Sequence, residues 1–80
     1  MKENIDDQMV LALIPCFNEE ATIASLVLKT KRYVDTVLVV DDGSSDETVD
    51  IAKEVGATVV AHKKNRGKAA AIKTGFLYAL

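Results

Sequence analysis

Three short apolar runs restrict the fold of this chain more than any other feature of its sequence. They occupy residues 9–14, 37–40 and 57–61, and each is continuous instead of alternating with polar residues. A continuous run of this length is typical of a strand that is covered on both faces, as the strands of parallel sheets are. The sequence therefore predicts three buried parallel strands.

Segments with helical spacing follow each of the three runs. Apolar residues and threonines recur there at intervals of three and four, which indicates helices with one buried face. The predicted buried stripes are Ile23, Leu26, Val27 and Thr30, then Thr48, Ile51, Ala52 and Val55, and finally Ala69, Ile72, Phe76 and Leu80. Right-handed crossovers then predict a three-layer α/β fold, β-α-β-α-β-α, with a parallel sheet in the order 3-2-1.

The ends of the second helix carry local signals of their own. Ser44 is followed three residues later by Glu47, which is the spacing of a capping box at a helix start. Gly56 predicts a left-handed residue at the end of the same helix. Before the first run, residues 1–8 are expected to form a flexible N-terminus.

The sequence stops at Leu80 within the third helical pattern, and a three-stranded parallel sheet has two open edges. We therefore expect residues 1–80 to be one partial domain, a fragment of something larger. Alternatively, a second copy or a partner chain completes the sheet.

Charge and cysteine content narrow the class of protein. Residues 1–50 contain four Lys or Arg against eleven Asp or Glu, whereas residues 51–80 contain six against one. This division of charge indicates a ligand that is polar at both ends, or it is incidental.

The single cysteine, Cys16, excludes an internal disulfide and favours a reducing compartment, so we expect a cytoplasmic chain. We expect no nucleic acid as a partner.

The polar clusters follow the predicted strands. Ligands of open parallel sheets bind beyond the carboxyl ends of the strands, where the connecting loops meet. The three loops in question are PCFNEE at 15–20, DDGSSDE at 41–47 and HKKNRGK at 62–68. A binding site is therefore predicted at this edge of the sheet.

Asp41 and Asp42 are adjacent at a strand end, so their side chains should point to opposite faces of the sheet. One carboxylate can then accept hydrogen bonds from a nucleobase N–H or a ribose hydroxyl, while the other accepts backbone N–H groups of the GSS turn. The alternative is that both carboxylates only cap turns and the following helix.

The third loop is basic, and it has two interpretations. Its lysines and arginine precede a helix start, and Gly67 lets the backbone approach a ligand, so the loop suits a phosphate. The alternative is a solvated basic loop. His62 has no second histidine or suitably spaced cysteine with which to bind a metal, and is interpreted as part of the loop.

Three sequence blocks, IPCFNEE, VVDDGSSDET and NRGKAAAIKTGF, occur in this order and with this spacing. Over residues 9–80 the chain closely resembles the N-terminal part of family 2 glycosyltransferases, which have the GT-A fold. Within that family it looks most like dolichyl- or polyprenyl-phosphate sugar synthases. The resemblance implies a UDP- or GDP-linked sugar donor, and a lipid-phosphate acceptor at the cytoplasmic face of a membrane.

The resemblance also implies roles for individual residues. Those expected at the nucleotide are Pro15, Phe17, Glu19, Val40, Asp42, Arg66, Gly67 and Lys68. Those expected to structure the loops are Asn18, Asp41, Gly43 and Ser44. Of the two adjacent aspartates, Asp42 is therefore the one that should face the ligand.

The family's metal-binding DxD motif follows a fourth strand, which would lie beyond Leu80. Mg²⁺ or Mn²⁺ is thus expected in a complete enzyme, whereas no metal ligand and no catalytic residue is expected within this chain. We expect these 80 residues to bind nucleotide but to transfer no sugar alone. The alternative function is a non-catalytic nucleotide-binding or regulatory module that assembles through its open sheet edge.

Overall fold

The computed structural model describes residues 9–80, and the segment predicted to be a flexible N-terminus lies outside the described residues. Strands and helices alternate along the described chain, which confirms the predicted order of elements. The elements are β1 (Leu11–Cys16), α1 (Ile23–Thr30), β2 (Thr36–Asp41), α2 (Thr48–Glu54), β3 (Thr58–Ala61) and α3 (Lys68–Ala79).

The three strands form a parallel sheet with β2 in the centre, as predicted. The central strand is the most deeply buried part of the molecule, because Leu38, Val39 and Val40 are inaccessible to solvent. Cys16 is aligned with Asp41, and Asp41 is aligned with Ala61. The carboxyl ends of all three strands therefore lie in one row, and the loops that follow them start side by side.

Helices cover both faces of the sheet and give the predicted three layers. On one face, α1 and α2 supply Ile23, Val27 and Ala52 to an apolar cluster that includes Val37 and Val39 of β2. A smaller cluster lies on the other face, where the α3 residue Ala71 packs with Leu38 and Val40. Among residues 9–80, no helix is both long enough and apolar enough to cross a bilayer.

The predicted buried stripe of α3 is wrong. The helix packs on the sheet through Ala71 and Gly75, whereas Phe76 is 63% exposed and Leu80 is fully exposed. Gly75 lies directly against Leu13, so close that a Cβ at this position would overlap Cδ1 of the leucine. Small residues bring the helix into contact with β1, and its larger apolar side chains consequently face outward.

The capping box predicted for α2 is also wrong, although the prediction for Gly56 is confirmed by its φ of +95°. The helix begins at Thr48, and no side chain caps it from the N-cap position. The Ser44 hydroxyl donates instead to the carboxylate of Asp41. Asp46 accepts the backbone N–H of Thr48 at 3.0 Å and so satisfies a donor in the first turn of the helix.

Candidate functional site

A cavity of about 380 Å³ opens at the carboxyl ends of the strands, between the loop after β1 and the start of α3. Most of the residues predicted to bind a nucleotide line it. These are Pro15, Phe17, Glu19, Asp42, Gly67 and Lys68. The cavity is also lined by Cys16, Asn65 and Ala71, which were not predicted to bind a nucleotide.

Two of the residues predicted at the nucleotide do not line the cavity. Val40 is inaccessible to solvent and packs in the core under α3, so the structure exposes none of it to a ligand. Arg66 is exposed to solvent, and its backbone N–H donates to Asp42 Oδ1 at 2.8 Å. In this structure Arg66 thus acts on the cavity through its main chain.

The loop after β1 is joined to the loop after β2 by hydrogen bonds in both directions. The backbone N–H of Asn18 donates to the Ser44 hydroxyl at 2.7 Å, and the Asn18 side-chain oxygen accepts the N–H of Ser45 at 2.9 Å. Asn18 has a φ of +51°, a left-handed conformation in which asparagine is enriched. The Glu19 backbone N–H donates to the Thr48 hydroxyl at 2.8 Å. The two loops therefore form one unit.

Asp41 points away from the cavity, toward the face that α1 and α2 cover. It is 1% exposed, and its Oδ2 accepts the backbone N–H of Ser44 at 2.9 Å. The Cys16 Sγ lies 3.6 Å from Asp41 Oδ1. Burial, reinforced by the Asp41 charge, raises the pKa of the Cys16 thiol to about 12. The thiol is therefore protonated near neutral pH and is not a nucleophile.

Asp42 points to the opposite side and lines the cavity. Its Oδ1 lies 2.8 Å from His62 Nδ1 and 2.8 Å from the backbone nitrogen of Arg66, and its Oδ2 accepts the Gly67 N–H at 2.8 Å. The hydrogen bond from His62, followed by that from the Arg66 backbone, lowers the pKa of the Asp42 carboxyl. Asp42 is consequently ionised at neutral pH and can only accept hydrogen bonds.

Two glycines let the loops approach one another and the cavity. Gly43 has a φ of +80°, and a Cβ there would lie 2.5 Å from the carbonyl carbon of Lys64 and 2.5 Å from the nitrogen of Asn65. The loop after β3 therefore packs directly on the Gly43 backbone. Gly67, with φ +97° and ψ 158°, occupies a region that is essentially restricted to glycine, immediately before α3 begins.

Sequence reasoning missed the role of His62, whose side chain is only 7% exposed. The ring lies between Asp42 and Thr74, 2.7 Å from the Thr74 hydroxyl oxygen. A signal was available, because His62 follows β3 by one residue just as Asp42 follows β2, and the two strands are parallel. The sequence contains no comparable signal for Thr74, which lies on α3.

The described residues contain no cluster of three side-chain ligands for a metal ion. Within residues 9–80, no three His, Cys, Asp or Glu side chains come close enough together to bind a metal ion. Asp42 and Glu19 are the acidic residues that line the cavity. The lining of the cavity combines these two acidic residues with Lys68, at the start of α3.

Comparisons of the sequence with known proteins identify related proteins. Residues 12–80 match the family described as glycosyl transferase family 2. An uncharacterized protein of Methanocaldococcus jannaschii is 41% identical over 95% of this chain and 32% of its own length. The UDP-N-acetylglucosamine–dolichyl-phosphate N-acetylglucosaminyltransferase of Methanococcus voltae is 31% identical over 86% of this chain and 35% of its own length.

The fold is likewise shared with a solved structure. Glucosyl-3-phosphoglycerate synthase from Mycobacterium tuberculosis, in complex with Mn²⁺, UDP and glucosyl-3-phosphoglycerate, superimposes with a TM-score of 0.76 at 28% identity. The match covers 91% of this chain and 30% of that structure. This chain thus spans about a third of the length of such relatives. With its parallel sheet and the three sequence blocks at the sheet edge, the chain belongs to glycosyl transferase family 2 and has part of the GT-A fold.

Proposed function

We propose that residues 9–80 provide the nucleotide-binding part of a glycosyltransferase that takes its sugar from a nucleotide-diphosphate donor. The observation that carries the proposal is the cavity at the strand ends. It combines the ionised carboxylate of Asp42 with Lys68 and the amino end of α3. A nucleoside diphosphate needs both features, because its base presents N–H donors and its phosphates are anionic.

Asp42 has the capacity to bind one more donor. An ionised carboxylate offers about four acceptor positions, and His62, Arg66 and Gly67 use three of them. The bond from Gly67 is the one that reaches Oδ2, so the remaining position is on that oxygen. We assign it to an N–H group of a nucleobase such as uracil or guanine.

The rest of the cavity suits the ribose and the phosphates. Phe17 is 45% exposed and, with Pro15, provides apolar surface for the base and the ribose. The amino end of α3 carries the partial positive charge of a helix terminus, and Lys68 adds a full charge there. We place the diphosphate at this end of the cavity.

The finer assignments rest on relatives. The compared structure contains UDP and Mn²⁺, and the Methanococcus voltae protein is named for a UDP-linked donor and a dolichyl-phosphate acceptor. We therefore propose a UDP-linked sugar as the first donor to test, GDP-linked sugars second, and a lipid phosphate as the acceptor, met at the membrane surface. The compared structure contains Mn²⁺, whereas residues 9–80 bring no three acidic, histidine or cysteine ligands together, and we propose that other parts of a complete transferase bind the Mg²⁺ or Mn²⁺.

The test is an NMR titration of this chain with UDP-glucose and with GDP-mannose, each with and without Mg²⁺. We expect saturable shifts confined to the amides of residues 16–20, 40–46 and 63–68. Asp42→Asn should weaken binding about tenfold or more, because a hydrogen bond to a charged group contributes about 1.5–3 kcal/mol. Asp41→Asn should have a smaller effect, since Asp41 points away from the cavity.

Asp50→Asn is the control, because it removes the same charge from an exposed position in α2. It should bind nucleotide as the unmodified chain does. The proposal fails if the folded chain shows no shift with either nucleotide at roughly 10 mM, a concentration at which even millimolar affinity is visible. Equal losses in folded Asp41→Asn and Asp42→Asn chains would contradict the assignment of Asp42.

A further inference from the structure

His62 connects the candidate site to the helix that covers the sheet. It lies one residue past β3, and its backbone N–H donates to the carbonyl oxygen of Asp41 at 2.8 Å. Its Nδ1 is 2.8 Å from Asp42 Oδ1, and its Nε2 is 2.7 Å from the Thr74 hydroxyl oxygen in α3. The imidazole therefore lies between a carboxylate of the cavity and a side chain outside it.

The positions of both His62 and Asp42 are fixed by these contacts. The side chains are only 7% and 6% exposed, so solvent is a poor substitute for a lost partner. A buried polar group without a partner is unfavourable. Rotating the imidazole would leave both ring nitrogens unpaired, and its present orientation is strongly preferred.

The hydrogen bonds also determine where the imidazole proton lies. Ionised Asp42 can only accept, so His62 Nδ1 must carry a proton. The Thr74 hydroxyl can donate to Nε2, and a neutral imidazole with its proton on Nδ1 then satisfies both contacts. Asp42 therefore sets the tautomer, and Thr74 holds the ring in the orientation in which Nδ1 donates to Asp42.

The bond from His62 has a consequence for the cavity. His62 and Arg66 both donate to Oδ1 of Asp42, whereas Gly67 donates to Oδ2. Because Oδ1 accepts two of these hydrogen bonds and Oδ2 only one, Oδ2 keeps an acceptor position for a further donor. Without the imidazole donor, only the Arg66 and Gly67 N–H groups would hold the carboxylate, one on each oxygen, and it could rotate more freely about its Cβ–Cγ bond.

We propose that His62, oriented by Thr74, is a positioning residue that holds the Asp42 carboxylate with Oδ2 available to the nucleotide. This inference rests on the proposed nucleotide site and adds to it a pair of residues outside the cavity lining. Neither His62 nor Thr74 lines the cavity. Both act through Asp42.

The test uses this chain with three substitutions of threonine. Thr74→Val keeps the branched shape but removes the hydroxyl, and Thr74→Ser keeps the hydroxyl. Thr30→Val is the matched control, because Thr30 lies on α1 and its hydroxyl donates only to the Leu26 carbonyl. Two quantities are measured: the His62 tautomer, from two-bond proton–nitrogen NMR correlations without ligand, and the affinity for UDP-glucose.

We expect His62 in the unmodified chain to carry its proton on Nδ1, and Thr74→Val to reduce this preference. The affinity of Thr74→Val for UDP-glucose should fall about three- to tenfold, the equivalent of one hydrogen bond. Thr74→Ser and Thr30→Val should stay within about twofold of the unmodified chain. Thermal unfolding and amide spectra establish that each variant is folded.

Two results would overturn the inference while leaving the proposed function intact. One is a neutral His62 in the unmodified chain with its proton on Nε2. The other is a folded Thr74→Val chain that binds UDP-glucose as tightly as the unmodified chain. If the unmodified chain binds neither UDP-glucose nor GDP-mannose, the proposed function itself fails and the inference fails with it.

Discussion

At the scale of single residues, Gly43 is where two loops of the site touch. A Cβ at this position would lie 2.5 Å from backbone atoms of Lys64 and Asn65, and φ is +80°. Gly43→Ala therefore combines a left-handed backbone, unfavourable by about 1–2 kcal/mol for a residue with a Cβ, with an overlap of about 1–3 kcal/mol. We expect the free energy of unfolding to fall by about 2–5 kcal/mol in urea titrations.

Gly56 provides a matched comparison for this prediction. Its φ of +95° is equally left-handed, but a Cβ there would meet only the end of the flexible Lys31 side chain. Gly56→Ala should therefore reduce the free energy of unfolding by only about 1–2 kcal/mol, from the backbone alone. Similar losses in the two variants would show that the loop contact at Gly43 contributes little.

The sequence predicts some residues of the site better than others. Asp41 and Asp42 could be assigned to opposite sides because side chains alternate along a strand, whatever the rest of the fold. For His62, the predicted parallel pairing of β2 and β3 indicates a place beside Asp42, because each residue follows its strand by one. Its contact with Thr74 could not be predicted, because that contact depends on the position of α3, which is a tertiary property.

At the scale of elements, α3 shows how a helix can approach a sheet through small residues. Helix propensity alone would favour Gly75→Ala by about 1 kcal/mol. The added methyl group would, however, overlap the Leu13 side chain, which is partly buried against the cluster of Ala71, Leu38 and Val40. Overpacking of this kind is unfavourable by about 1–3 kcal/mol. We therefore expect Gly75→Ala to lower the free energy of unfolding, against the helix propensity.

A double-mutant cycle with Leu13→Ala tests the cause. Removing the leucine side chain makes room for the new methyl group, so the double variant should be more stable than the sum of the two single effects predicts, by about 1 kcal/mol or more. An increase in stability for Gly75→Ala alone would mean that propensity outweighs the contact.

The same element explains where the fold could be predicted and where it could not. The strands, their order and most buried positions of α1 and α2 follow from the periodicity, although Leu26 of the predicted α1 stripe is 46% exposed. In α1 the buried Ile23 and Val27 are large and carry a strong apolar signal. In α3 the buried residues are Ala71 and Gly75, which carry almost no apolar signal, while exposed Phe76 carries a strong one. A pattern weighted by hydrophobicity therefore selects the wrong face.

At the scale of the whole molecule, carboxylates join the three loops at the sheet edge. Asp42 accepts backbone N–H groups of the loop after β3, and Asp46 accepts the N–H of Glu20 at 3.3 Å from the loop after β1. Five of the residues that line the cavity lie in these loops: Phe17, Glu19, Asp42, Asn65 and Gly67. The integrity of the site should therefore depend on the ionisation of these carboxylates.

Acid should lower the free energy of unfolding by protonating Asp42 and Asp46. Hydrogen bonds, from His62 to Asp42 and from the Thr48 side chain to Asp46, lower the pKa of each carboxyl below its ordinary value of 3.8. As the pH falls below about 3.8, the unfolded chain binds protons more readily than the folded chain. The stabilising contribution is thus present above that pH, and is lost as the pH falls through the folded-state pKa values.

Asp46→Asn separates this effect from general acid denaturation. The amide oxygen can still accept the Thr48 N–H, but the side chain no longer titrates, so the variant should be less stable near pH 7 and should lose less stability on acidification. Urea unfolding followed by circular dichroism between pH 7 and about pH 2.5 measures both quantities. Asp50→Asn, at an exposed position of α2, should instead follow the pH dependence of the unmodified chain. If the Asp46→Asn curve runs parallel to that of the unmodified chain, ionised Asp46 does not stabilise the fold, and the neutral hydrogen bonds alone hold these loops together.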